Sequence, residues 1–360
     1  MKTISAALLL LQVSTALQPH VIGRAKRPGV VEWTSRRGVL GTMASAPLFL
    51  LQASGVTEPA SRLADPGNAM RNAQQAFQVQ AGQAFQKITA NHIQSYEQDG
   101  VTVVGNVVSK EWLQILRDGC ETAQDEAGLY AEYLQQPTDG GVFFTDLELA
   151  RRIPVFSAFS LYGPCAAVAG AIMESDSIRY LYDQLFVKEQ GVSTHTPWHQ
   201  DGGYWRVRGD KVGSVFVPLD PVKPEDGLAF VQGSHNWELH NPQHFADGTP
   251  YRGTSLPAMP NIDEMKERGD VSLLTFALQP GDVLVFSSRT VHGGPGNWGR
   301  ALSTRWSGDA TRYWDRPGEG AVPTGDLKLR DGDLLGQLPQ AFPEHCKYVH
   351  KKLATEIANL

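Results

Sequence analysis

Thr196-Pro-Trp-His199-Gln-Asp201-Gly-Gly-Tyr-Trp205 sets an imidazole and a carboxylate two residues apart. In an extended strand, side chains two apart leave the same face, so His199 and Asp201 can both reach one ion. A neutral imidazole nitrogen and a carboxylate oxygen are two thirds of the ligand set that leaves half of an octahedral iron open. The missing third is expected to be a histidine from a distant strand. Asp282-Val-Leu-Val-Phe286, then residues 287–291, lead to His292-Gly-Gly. This apolar, β-branched run is expected to carry His292 to a rim where glycines give ligands room. His195 and His199 also stand in H-x-x-x-H spacing, which on a helix could bind zinc. Pro197 between them, and its restriction on Thr196, argue against an uninterrupted helix. His195 therefore reads as a supporting or substrate-facing residue, and His235, after Gly233-Ser234, as a turn residue.

Outward from this segment the chain consists of short β-rich runs. Residues 180–187, 213–219, 228–231, 273–278, 282–286 and 301–306 read as strands. Pro221, Pro224-Glu-Asp-Gly227, Pro280-Gly281 and Gly293-Gly-Pro-Gly296 supply the turns between them. Before them, residues 71–100 read as helical and Val101-Thr-Val-Val104 as a strand. Ser109 reads as the N-cap of an amphipathic helix over 109–116, and residues 164–173 as a buried helix. Residues 235–270 lack strong periodicity and read as an insertion or lid loop. Helices followed by many short strands predict a β-sandwich or jelly roll with helices on one side. One catalytic domain over 71–360 is the economical organisation.

The 360 residues carry a net charge of −6, 41% hydrophobic and 19% charged residues. That balance is ordinary for a globular protein and argues against a general nucleic-acid grip. Cys120, Cys165 and Cys346 are too few and scattered for a disulfide framework or a C-x-x-C metal pair. Residues 1–70 read as addressing. Lys2 precedes an apolar run; Arg24, Lys26, Arg27, Arg36 and Arg37 then stand against the single acid Glu32; and Arg36-Arg37 opens a second apolar stretch broken by Pro47. This order resembles the layered import signal of an algal plastid-lumen protein, the alternative being a secretory signal with a pro-segment. No later segment reads as apolar for long enough to be a membrane helix.

The sequence resembles the phytanoyl-CoA dioxygenase family across most of residues 93–310. The pieces that carry the likeness are Gln98-Asp-Gly-Val-Thr-Val-Val104, Asp183-Gln-Leu-Phe-Val-Lys188, Pro197-Trp-His-Gln-Asp201 and Val217-Pro-Leu-Asp220 with Asp226-Gly227. Val231-Gln-Gly-Ser-His235, Gly281-Asp-Val-Leu-Val-Phe286 and His292-Gly with Asn297 complete them. Their order and spacing are far more specific than any one of them. The resemblance implies a mainly β double-stranded β-helix (a cupin-like jelly roll) with flanking helices. It implies Fe(II) held by His199, Asp201 and His292, with 2-oxoglutarate and O2 consumed to hydroxylate a small molecule, releasing succinate and CO2.

The far carboxylate of 2-oxoglutarate requires a cation, usually an arginine fork. The resemblance places it on the strand after His292, but a shortened loop puts Gly299 at the expected position. Arg300 and Arg305 are the candidates; an odd number of residues separates them, so on a regular strand only one faces inward. The resemblance also nominates Gln184, Lys188 and Phe216 as cosubstrate or substrate contacts, Asn297 as an anchor of the loop, and Tyr204 and Trp205 as lining of the mouth. Because Asp201 is a carboxylate, no ligand vacancy for halide is apparent, which disfavours halogenation. A non-catalytic ligand-binding jelly roll and a cupin-like metalloenzyme independent of 2-oxoglutarate are the alternative readings of the same residues. A lipid, acyl derivative or secondary metabolite is the expected substrate class.

Overall fold

In the computed structural model of the chain, the residues described are 82–319 apart from 135–139, 193 and 246, followed by 327–337, 339, 342 and 344–346. All belong to the unit Phe77–Leu360. The targeting segments over 1–70, and the part of the first expected helix over 71–81, lie outside them.

Two antiparallel sheets form the body. The larger runs β1 (Val101–Val104), β10 (Val283–Ser287), β7 (Val212–Pro218), β12 (Arg300–Ser307), β4 (Ile178–Lys188), β3 (Phe143–Leu147) and β2 (Glu132–Leu134), with β14 (Glu344–Cys346) also paired to β4. The smaller runs β5 (Thr196–His199), β11 (His292–Gly294), β8 (Ala229–Val231) and β9 (Leu273–Thr275). A short pair joins β6 (Val207–Arg208) to β13 (Arg312–Tyr313). Six of the seven expected strands recur with their ends moved by at most two residues. The seventh, 273–278, is shorter: the chain leaves β8 after Thr275, and Leu278 pairs with Val222 instead.

Period-two alternation sorts the larger sheet into two faces. Ser303 of β12 lies between Phe216 of β7 and Gln184 of β4, and Arg305 between Ser214 and Tyr182. These side chains face the smaller sheet. Leu302, between Val217 and Leu185, belongs to the other face, against which a helix packs. Between the sheets Phe216, Phe230, Phe286, Trp298 and Ala301 form one buried cluster, with Phe230 and Phe286 ring centroids 5.2 Å apart. This is the jelly-roll architecture.

The helices are α1 (Ala90–Asp99), α2 (Lys110–Asp125), α3 (Pro154–Tyr162), α4 (Cys165–Ile172) and α5 (Ile262–Arg268). The single helix expected up to residue 100 is interrupted among the described residues. Residues 82–85 are helical, and a new helix opens where the Thr89 N–H donates to His92 Nδ1 (3.1 Å). Gly100, at φ +79°, stops α1 and turns the chain into β1, a conformation that favours glycine. The Ser109 hydroxyl accepts the Trp112 N–H, as an N-cap should, and α2 runs nine residues beyond the expected end. Cys120 and Cys165 are free and buried.

Two expectations are corrected. Pro154–Ile172, 19 residues, is long and apolar enough to cross a membrane by composition, but it breaks at Gly163-Pro164 into α3 and α4 and is 83% buried inside the fold. Residues 235–270 are not a plain loop. Asn261 caps α5 by accepting the Glu264 N–H (3.2 Å) and Gly269 closes it at φ +77°. Seven residues are too few for helical periodicity to stand out in the sequence.

Candidate metal centre and active site

His199 closes β5, and Gln200 keeps an extended backbone (φ −113°, ψ 126°), so His199 and Asp201 share a face. The strand does not continue through Asp201 as expected: Asp201–Tyr204 is a 3-10 turn, pinned by Gly202 N–H donating to Ser288 O (2.7 Å). His292 opens β11 directly opposite His199 in the antiparallel pairing, and their ring centroids lie 4.2 Å apart. One ligand atom from each of His199, Asp201 and His292 lies within 4.8 Å of the others, and all three residues are buried. Gly293 does not open space for a ligand. A Cβ there would come within 3.1 Å of the Thr196 carbonyl and Trp198 Cα, so the glycine permits β11 to pair with β5.

Both imidazoles are oriented by backbone carbonyls. His199 Nδ1 lies 2.7 Å from Pro197 O, and His292 Nδ1 2.9 Å from Thr290 O. A carbonyl only accepts, so each Nδ1 carries a proton, which turns each Nε2 toward the common point and leaves it, in the neutral ring, to a metal. Burial, followed by the neighbouring His199, pushes the His292 pKa down to about 3, leaving a neutral ring at physiological pH. His199 Nε2 and His292 Nε2 lie 3.6 and 4.0 Å from Asp201 Oδ1. Three donor atoms within 4.8 Å of one another would hold one divalent ion between them. The donor set suits a divalent iron with an open coordination face.

Asp201 is held from the larger sheet. Ser214 Oγ donates to its Oδ2 (2.6 Å), and Arg305 Nε lies 3.9 Å from the same oxygen. Burial by itself raises the Asp201 pKa, but the neighbouring Arg305 charge outweighs it. That charge holds the carboxyl well below the usual range. The ligand is thus ionised before any ion arrives.

The remaining expected residues divide. The β12–β4 pairing runs without interruption from Arg300 to Arg305, the irregularity falling only after Arg305, so the two arginines leave opposite faces. Arg300 is half-exposed and held by Asp220 through Nε (2.9 Å) and Nη2 (2.8 Å). Arg305 is buried between the sheets, its Nη1 donating to Ser303 O (2.7 Å), its Nη2 to Gln184 Oε1 (3.0 Å), over the Tyr182 ring. Gln184 also donates to Thr145 Oγ1 (3.1 Å). Lys188 is buried, with Nζ donating to the carbonyls of Thr194 and Pro295, and so ties β4 to the loop after His292. Phe216 is buried against Trp298. Trp205 is core, its Nε1 donating to Tyr182 Oη (2.6 Å), whereas the Tyr204 ring lies 5.5 Å from that of His199. Asn297 is exposed and joins the loop to Asp226 O through its backbone N–H. His195 is exposed and outside the triad; His235 sits in the 3-10 turn Ser234–Asn236.

Several site residues carried no sequence signal. Phe245 stands 5.1 Å from the His199 ring and 5.8 Å from Tyr204, packing also against the cluster of Leu134, Phe143 and Val192. Trp298 is wedged edge-on between Phe186 (5.8 Å) and Phe216 (5.6 Å). Arg305 Nε, Ser303 Oγ and Trp298 Nε1 are buried donors without a hydrogen-bond partner. Buried donors are normally satisfied, and an unpaired set on the inner face suits a polar or anionic ligand.

Two facing antiparallel sheets with a buried His-x-Asp…His set at one rim define the class of non-haem iron, 2-oxoglutarate-dependent oxygenases. The profile of the phytanoyl-CoA dioxygenase (PhyH) family matches residues 96–304, and the chain belongs to that family. Among solved structures the chain is similar to the non-heme alpha ketoglutarate dependent carbocyclase SnoK from nogalamycin biosynthesis. That likeness has 18% identity and TM-score 0.55, covering 72% of this chain and 97% of that one. It is also similar to the epimerase SnoN in complex with Fe3+, alpha ketoglutarate and nogalamycin RO (18%, 0.53, covering 71% and 97%). A third is EctD from S. alaskensis with 2-oxoglutarate and 5-hydroxyectoine (18%, 0.50, covering 69% and 86%). These likenesses carry the fold. Among curated proteins no sequence matches the chain.

Proposed function

We propose that the protein hydroxylates an unactivated C–H bond of a small molecule, coupled to conversion of 2-oxoglutarate and O2 into succinate and CO2. The observation that carries this reading is the buried triad with both Nε2 lone pairs free and Asp201 ionised. When bound, iron and 2-oxoglutarate supply the oxidising chemistry. The chain supplies position. His199, Asp201 and His292 hold the metal; Arg305 and Ser303, with otherwise unpartnered donors, receive the far carboxylate of 2-oxoglutarate; Gln184 fixes the Arg305 guanidinium. Arg300 is committed to Asp220 and has no part in this. Phe245 and Tyr204 wall the metal on the substrate side and exclude water.

Anaerobic addition of Fe(II) and 2-oxoglutarate is expected to give a visible metal-to-ligand charge-transfer band, and air is expected to yield succinate. A protein that gives neither band nor succinate is not such an enzyme.

A further inference from the structure

Arg316 is 4% exposed, and two of its three guanidinium nitrogens, Nε and Nη1, have no hydrogen-bond partner. Its Nη2 donates to the carbonyl of Gly203, inside the turn that carries Asp201, and the guanidinium lies over the Trp314 ring (5.7 Å). Among the described residues no carboxylate comes within ion-pair distance. The nearby acids are engaged elsewhere: Asp315 with Arg206 (3.6 Å), and Glu319 with His244 (3.2 Å) and the Arg252 N–H (3.0 Å). A buried charge with no counter-charge is costly unless something anionic completes it.

The surroundings say where that group would come from. Tyr204, next to Gly203, stacks edge-on with His199 (5.5 Å) and with Tyr251 (5.4 Å), and Phe245 lies over both His199 and Tyr204. Arg316 and Tyr251 are close enough to perturb each other's charge. A continuous aromatic wall therefore runs from the metal ligands to the unpaired guanidinium. Gly203 O occupies one Nη2 hydrogen, and the other still forms a two-pronged fork with either Nε or Nη1, the geometry that suits a carboxylate.

We propose that the substrate is an apolar acid whose carboxylate is received by Arg316 while its hydrocarbon part lies along Phe245, Tyr204 and Tyr251 toward the metal. The proposal rests on the oxygenase reading above and names the substrate class for that site.

The test uses the full chain loaded anaerobically with Fe(II) and a fixed excess of 2-oxoglutarate. Melting temperature and the charge-transfer band are followed on adding a graded series of straight-chain acids from acetate to dodecanoate, with benzoate and 4-phenylbutanoate, each beside its matched alcohol. At least one acid is expected to raise the melting temperature and perturb the band where its alcohol does not. Arg316→Met is expected to weaken that response at least tenfold, and Arg316→Lys, which keeps the charge but loses the fork, to weaken it less. Arg316→Met should fold and melt no lower than wild type in the absence of acid, since it removes an unpaired buried cation. The proposal is overturned if acids and alcohols act alike, if no acid acts, if the response survives Arg316→Met, or if Arg316→Met melts several degrees lower, which would mark a structural cation. Absence of the charge-transfer band in wild type sinks the oxygenase reading and is seen before any acid is added.

Discussion

Arg305 reaches from the last long strand of the larger sheet to within 3.9 Å of Asp201, a ligand carried on the turn after the smaller sheet. One cation thus serves two ends: it stabilises the ionised form of a metal ligand, and its Nε still has no hydrogen-bond acceptor. Arg300, five residues earlier, is turned to the opposite face and spent on Asp220.

Arg305→Gln is expected to raise the 2-oxoglutarate concentration needed for half-development of the charge-transfer band by at least tenfold. Arg300→Ala should leave that concentration unchanged and cost no more than about 1 kcal/mol of stability, because its ion pair is half-exposed. An anaerobic titration of both variants decides; equal effects, or a larger one for Arg300, would remove Arg305 from the role.

Ser214→Ala removes the hydroxyl that donates to Asp201 Oδ2. Loss of such an outer partner typically lowers metal affinity by about 10–100-fold. Fe(II) binding followed by competition with a chelator should fall in that range, with the melting temperature of the metal-free protein little changed.

Phe245→Ala takes away a ring that stands 5.1 Å from His199 without touching the inner-face donors. Formation of the charge-transfer band should survive. With a substrate in hand, succinate production should rise relative to hydroxylated product as water enters, a ratio measurable by quantifying both.

Asp183 is buried on the helix-facing side of β4, where it accepts the Ala150 N–H (3.0 Å). Burial raises its pKa to about 6, against the partial relief of that hydrogen bond. An acid whose folded pKa is raised binds its proton more tightly when folded, so its contribution to stability is greatest below the unfolded value near 3.9 and is lost as pH rises through about 6. Asp183→Asn should therefore gain stability relative to wild type between about pH 4 and 6 and hold a constant advantage above that. Melting curves across that window check it; a pH-independent difference would show that Asp183 does not titrate there.

The triad was legible because strand periodicity and motif order constrain it from two independent places, Pro197-Trp-His-Gln-Asp201 and His292-Gly. The choice between Arg300 and Arg305 was not, since it turned on whether β12 carries a bulge between them, and the irregularity that exists falls one residue too late to matter. Phe245, Trp298 and Arg316 left no trace because each sits in irregular chain, where position follows from what the loop packs against. Arg316 in particular reads in sequence as any solvated arginine, and only its burial against Gly203 sets it apart. The turn at Asp201 was likewise hidden: its glycines announce a bend without saying that the extended backbone lasts through Gln200.

The short loop after His292 has an effect on length. By folding Trp298 inward between Phe186 and Phe216, the latter directly opposite Ser303 in the sheet, it is expected to set an indole as a floor on the Ser303 side of the site. Under the placement proposed for the cosubstrate, that floor acts as a gauge: a five-carbon keto diacid stops against it, whereas the six-carbon homologue 2-oxoadipate must displace a ring clamped on both sides. Trp298→Ala would lower the floor, and the discrimination between the two diacids should narrow with it.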